Sequence, residues 1–97
     1  MTAVDLLNEM NEDGVDNVIW LGYYELPRSN TNLTQALNLG DSFLAYACEI
    51  SSNANCRFVD PRGQIPASDV EFDDIHPTPN GSLKLAQLIW PFLQPLL

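Results

Sequence analysis

The chain is poor in positive charge. Four Lys and Arg residues stand against thirteen Asp and Glu in 97 residues, a formal net charge of −9 at pH 7. So acidic a chain has no electrostatic footprint for nucleic acid or an anionic membrane surface. It has one His and two Cys, too few for a zinc site built from those ligands. No apolar run approaches the roughly 18 residues of a membrane span; the longest is Val18–Tyr24. The N-terminal Met1-Thr2-Ala3-Val4-Asp5 lacks a basic region followed by an apolar segment, so it does not read as a signal peptide. What the chain does have is apolar content, 45% of residues, a globular proportion that sets wholesale disorder aside. Its length predicts one domain at most, or a piece of one.

Local patterns suggest an order of elements. Thr2 and Asp5 make a weak capping-box pattern for a first helix, with Val4, Leu6, Leu7 and Met10 on its apolar face and Gly14 as its stop. Val18–Tyr24 is continuous and β-rich, suited to a parallel strand covered on both faces. Pro27–Thr31 reads as a loop. Leu33, Leu37, Gly40, Leu44 and Ala47 give helical spacing over 32–50, capped by Asn30 or Thr31. Gly40 weakens that helix by about 1 kcal/mol relative to Ala. After the polar turn Ser51–Asn55, Cys56–Asp60 reads as a short strand closed by Pro61. An acidic loop over 61–72 comes next.

Thr78 then caps a last helix with Pro79 at its first position. Leu83, Ala86, Ile89 or Trp90, and Leu93 should face inward, and Pro91 should bend or end the helix. Trp20, Tyr23, Tyr24, Phe58 and Trp90 read as core aromatics. Asp69, Glu71, Asp73 and Asp74 read as a solvated acidic loop without the ligand spacing of a calcium loop. The order α-β-α-β-α predicts an α/β fold with a parallel sheet, without repeats or an interdomain linker. Two parallel strands make a poor sheet whose faces and edges need cover. Residues 1–97 therefore read as a single domain or as the end of a larger one.

The segment richest in chemistry is Asp73-Asp74-Ile75-His76-Pro77-Thr78-Pro79-Asn80-Gly81. On a tight loop, a carboxylate three residues before a His can accept the Nδ1–H of its ring. That fixes the tautomer and leaves Nε2 as a general base. The helix start at Thr78-Pro79 would hold such a loop rigidly. Spacing favours Asp73 over the adjacent Asp74. A surface His beside a neighbouring acid and a helix start is the plainer reading of the same residues.

In this segment the chain resembles the SGNH hydrolases, also called GDSL-type lipases and esterases. Asp73, His76 and Pro77 match their last block, D-x-x-H-P, and Gly81–Leu93 matches the Gly-containing turn and helix after it. The strand Val18–Tyr24, a helix and a short strand ending Phe58-Val59-Asp60 extend the likeness over nearly the whole chain. The resemblance implies the C-terminal α-β-α-β-α part of a three-layer, flavodoxin-like parallel-sheet fold. It implies hydrolysis of an acyl ester of a lipid, carbohydrate or small alcohol, with no metal or organic cofactor. His76 would be the base, Asp73 would orient it, and Tyr23 or Tyr24 would border the substrate cleft.

The chain also departs from that family. It has no G-x-N-D block, and Gly14-Val15-Asp16-Asn17 has the wrong order, so the oxyanion donors are missing. Gly40-Asp41-Ser42-Phe43 spells the start of the nucleophile block. It lies in a helical pattern, however, and Ser42 is only 31 residues before Asp73. It reads as a helix interior with Asp41 and Ser42 facing outward; Ser42 as the nucleophile of a miniature hydrolase is the minor alternative. The expectation is a chain holding the Asp–His half of a triad and inactive alone. The rival is a non-catalytic α/β interaction module, or a truncated product, that associates with itself through an exposed sheet edge.

Cys48 and Cys56 have seven residues between them, one at a helix end and the other at a strand start. They can be bridged if the turn folds back; two buried free thiols are the alternative. A disulfide over so short a loop would contribute roughly 2.5 kcal/mol in the chain-entropy model. It would also imply an oxidising compartment, secreted or periplasmic. The spacing is not C-x-x-C, so it does not indicate a redox enzyme.

Overall fold

In the first helix, α1 (Ala3–Glu12), the Thr2 hydroxyl accepts the Asp5 N–H and the Asp5 carboxylate accepts the Thr2 N–H, each at 3.1 Å. This reciprocal box satisfies donors that the first turn leaves unpaired. Leu7 is fully buried, and the chain leaves α1 through Gly14 at φ +91°, a conformation glycine adopts at little cost. The computed structural model describes residues 2–26, 31–51 and 55–97.

Strand β1 (Asn17–Leu21) runs parallel to β2 (Asn55–Val59), with Asn17 opposite Asn55 and Leu21 opposite Val59. The connection is the long helix α2 (Thr31–Ile50), as a parallel pair requires. A 3-10 turn at Ala67–Asp69 precedes α3 (Pro79–Leu93), and another at Gln94–Leu96 succeeds it. The fold is therefore mixed α/β, with three helices and a small parallel sheet that has two strands among the described residues. Helix α2 touches β2 and α1, whereas α3 touches both strands. Ala47, Cys48, Val59, Ile65 and Val70 are buried between these elements. Asn30, one of the two caps expected for α2, lies outside the described residues, as do 27–29 and 52–54. Thr31 is the first helical residue.

The structure corrects several expectations. β1 ends at Leu21 rather than Tyr24 because the Tyr23 N–H turns to the Asp41 carboxylate, at 3.0 and 3.1 Å. On α3, Ile89 and Leu93 are half-buried as expected, together with Leu85, Leu88 and Phe92, whereas Leu83, Ala86 and Trp90 are exposed. Gly81 sets this phase, since a Cβ there would collide with the Asp69 carbonyl oxygen. Pro91 does not end α3, which continues to Leu93 before tightening into the 3-10 turn. The Arg57 guanidinium stacks 4.7 Å over the Phe92 ring and holds that last turn against β2. Tyr23, expected in the core, is also exposed, whereas Trp20, Tyr24 and Phe58 are half-buried.

Cys48, near the end of α2, and Cys56, in β2, form a disulfide across Cα atoms 5.2 Å apart. Among the described residues, no helix is long and apolar enough to cross a membrane.

Candidate functional site

The loop before α3 is closed by its own backbone. Val70 and Pro77 form an isolated antiparallel bridge, and the Glu71 N–H donates to the His76 carbonyl at 2.8 Å. Inside it, Asp74 adopts φ +64°, which short polar side chains tolerate better than most. Its N–H donates to the Glu71 carbonyl at 3.0 Å. The turn points the Asp73 side chain toward Ile75 and His76. One carboxylate oxygen accepts the Ile75 and His76 N–H groups, each at 3.0 Å, and the other meets His76 Nδ1.

Those contacts set the charge of the pair. The ring hydrogen bond from His76, then the His76 and Ile75 N–H groups, hold the Asp73 carboxyl down to about 2. Hydrogen bonding to Asp73 first, then its negative charge, pushes the His76 ring above its ordinary value, with Glu71 adding to the effect. An ionised Asp73 can only accept, so Nδ1 carries the proton and the neutral ring presents a lone pair at Nε2. The His76 side chain is 74% exposed. The arrangement leaves Nε2 of an oriented, exposed ring free to accept a proton.

No family model matches the chain, and neither does any curated protein or solved structure. What the site can do therefore rests on its geometry.

The loop is held from both sides. Tyr24, just beyond β1, donates its hydroxyl to the Ile75 carbonyl. Its phenol is raised above the ordinary value by burial and then by the Asp73 charge. On the other side, the Thr78 hydroxyl caps α3 by accepting the Gly81 N–H at 3.1 Å. The Thr78 N–H and hydroxyl donate to the Asp69 carbonyl at 2.9 and 3.2 Å. The Asp69 side chain is buried at 6% exposure and accepts from Asn80 Nδ2 at 2.9 Å and Lys84 Nζ at 2.5 Å. These two donors, Lys84 first, lower its carboxyl below the ordinary value. Asp69 is thus no part of a solvated acidic run, as the sequence suggested. It is the anchor of the His76 loop on α3. The only local sign of this is that Asn80 and Lys84 lie one turn apart on the same helix face.

Ser42 is not brought to His76. It lies within α2, where its hydroxyl donates to the Asn38 carbonyl at 3.2 Å. The helix-interior reading of Gly40-Asp41-Ser42-Phe43 holds for Ser42 and fails for Asp41, which is 1% exposed and takes the Tyr23 N–H. Gly22 permits this close approach, because a Cβ there would lie 2.6 Å from the Phe58 ring and 3.1 Å from the Asp41 carboxylate. Among the described residues, no three His, Cys, Asp or Glu side chains gather as metal ligands would.

Beside the loop is an apolar cleft of about 280 Å³, for which the sequence suggested only that Tyr23 or Tyr24 would border a cleft. Tyr23, Tyr24, Leu26, Leu33, Leu37 and Ile75 line it. Three separate segments supply its walls, so no single stretch of sequence announces it.

Proposed function

We propose that this chain supplies the acid–base half of a serine-esterase site of the SGNH, or GDSL, kind. The observation that carries the reading is the Asp73 carboxylate bound to Nδ1 of an open His76, on a loop fixed by Tyr24 and Asp69. A serine on a segment outside these 97 residues attacks the ester carbonyl, and His76 Nε2 takes its proton. The imidazolium, stabilised by Asp73, returns that proton to the departing alkoxide. Water then repeats the cycle on the acyl-enzyme. Oxyanion donors come from the same missing part. No metal or organic cofactor enters this chemistry. The substrate is an acyl ester of a lipid, carbohydrate or small alcohol.

In this reading, β1 and β2 are the last strands of a three-layer, flavodoxin-like sheet. Each strand has one neighbour among the described residues, which leaves an edge for further strands. The disulfide supports an oxidising location, secreted or periplasmic.

Fluorophosphonate treatment of the folded chain, read by intact mass, tests the half-site. The expected result is no adduct. An adduct on Ser42 would make the chain a complete hydrolase and overturn this reading. In a polypeptide that supplies the serine, His76→Ala should lower turnover by several orders of magnitude, and unchanged turnover would contradict the assignment.

The same sheet edges favour a second reading, a non-catalytic α/β module that associates with itself through them. Size-exclusion chromatography with an unfolding curve separates the two. A defined oligomer that unfolds cooperatively fits the self-associating module. A swollen or aggregating chain fits a sheet whose edges lack their strands, and a sharp monomer contradicts the self-associating module.

A further inference from the structure

We propose that the outward face of α2 docks a basic amphipathic helix of a partner protein. The face is apolar where a surface helix is normally polar. Leu39, Phe43, Tyr46 and Ile50 recur at intervals of four, three and four residues, the spacing of a helix-pairing seam. Each is 50–65% exposed. Leu37, Asp41, Leu44 and Cys48 repeat the same intervals two residues earlier, nearly opposite around the helix. Asp41 and Cys48 are buried and Leu37 and Leu44 half-buried, so this second row faces the protein. A helix apolar on both sides is built to be covered on both. Here β2 and α1 pack against α2 from within. Strands added at a sheet edge would extend the sheet sideways and leave the outer face open.

Shape and charge choose the occupant. The end of the seam and the first turn of α1 enclose a groove of about 410 Å³, with Val4 on one side and Phe43, Tyr46 and Ile50 on the other. An apolar groove of this kind receives a helix through anchors spaced i, i+3, i+4 and i+7. The exposed charges of α1 and α2 are Asp5, Glu9, Glu12 and Glu49, with no Lys or Arg on either helix. A second copy would bring the same acids to the contact, and each chain already carries a formal charge of −9. An anionic lipid surface would be repelled in the same way. A helix with Lys or Arg beside an apolar stripe complements both the seam and the acids. The proposal does not rest on the esterase reading, since neither the seam nor the groove includes a residue of the His76 loop.

The test is NMR titration of the full chain with a helical peptide of about 15 residues, built from Leu on one face and Lys on the other. A matched peptide carries Glu in place of Lys. The Lys peptide should saturate, with shifts clustered at Val4, Leu39, Phe43, Tyr46 and Ile50, and the Glu peptide should not bind. Phe43→Ser with Tyr46→Ser keeps the net charge and should weaken binding at least about tenfold. Leu39→Ser, made independently, should weaken it in the same direction. Both substitutions fall on exposed side chains, and amide spectra unchanged elsewhere establish that the fold is kept. Undiminished binding by both variants would reveal a general attraction to an acidic chain and overturn the proposal. Equal binding of the Glu peptide, shifts elsewhere or absence of saturation would overturn it too. So would a free chain that dimerises with shifts at Phe43 and Tyr46, because a second copy would then be the occupant.

Discussion

The buried Asp69 carboxylate and the Lys84 ammonium tie the loop that carries His76 to α3, across 15 residues of sequence. Asn80 completes the clasp from one turn earlier on the helix. A surface loop is thereby given an anchor inside the protein, and the setting of the His76 loop should depend on a pair that does not touch the ring.

Lys84→Met should expose that dependence. Removing the ammonium leaves a buried carboxylate with only Asn80 beside it, which costs more than the pair contributes when intact. The thermal midpoint should fall, and the amide resonances of 70–77 should shift. Lys84→Met together with Asp69→Asn should recover part of the loss, because no buried charge is then left unpaired. A midpoint unchanged by Lys84→Met would show that the clasp carries no stability.

Gly81→Ala should cost about 1–3 kcal/mol, the range for forcing extra atoms into a packed site. The added Cβ meets the Asp69 carbonyl, which is backbone and cannot rotate away. Chemical denaturation measures the loss. Gly40→Ala has open space around its Cβ and should instead stabilise α2, by up to about 1 kcal/mol.

The starts of α1 and α3 were legible because each is a pairing of neighbours, Thr2 with Asp5 and Thr78 with Gly81. The Asp73–His76 contact was legible for the same reason, since three residues on a tight loop bring carboxylate and ring together. The rotation of α3 was not, because it is set by Gly81 meeting Asp69 from another segment. Burial of Asp41 was equally hidden. It depends on a backbone N–H 18 residues earlier, and its own neighbours, Gly40 and Ser42, suggested an outward face. The apolar cleft combines the chain after β1, α2 and the His76 loop, a meeting that only the tertiary fold creates.

Reducing the Cys48–Cys56 disulfide should lower the unfolding free energy by roughly 2.5 kcal/mol in the chain-entropy model. Urea unfolding with and without reductant measures it, with Cys48→Ala/Cys56→Ala as the control. Equal stability in both states would mean that the bond adds nothing beyond packing.

The Asp73–His76 couple should give a stability term with two pH limits. The lowered Asp73 contributes above its ordinary value of 3.8 and loses this as pH falls through about 2. The raised His76 contributes fully below its ordinary 6.5 and loses this as pH climbs through its higher folded value. The difference in unfolding free energy between wild type and Asp73→Asn should therefore be largest between those two ordinary values and shrink on either side. Both groups are exposed, so solvent keeps the difference small. A difference that grows above neutral pH would contradict this assignment.

The most direct test of the central claim is a long-range 1H–15N NMR titration of the single His76 ring, in wild type and in Asp73→Asn. In wild type the neutral ring should carry its proton on Nδ1, with a midpoint above 6.5. In Asp73→Asn that midpoint should fall toward the ordinary value. A neutral ring protonated on Nε2, or a midpoint that Asp73→Asn leaves unmoved, would show that Asp73 does not orient His76 and that the chain holds no half of a catalytic triad.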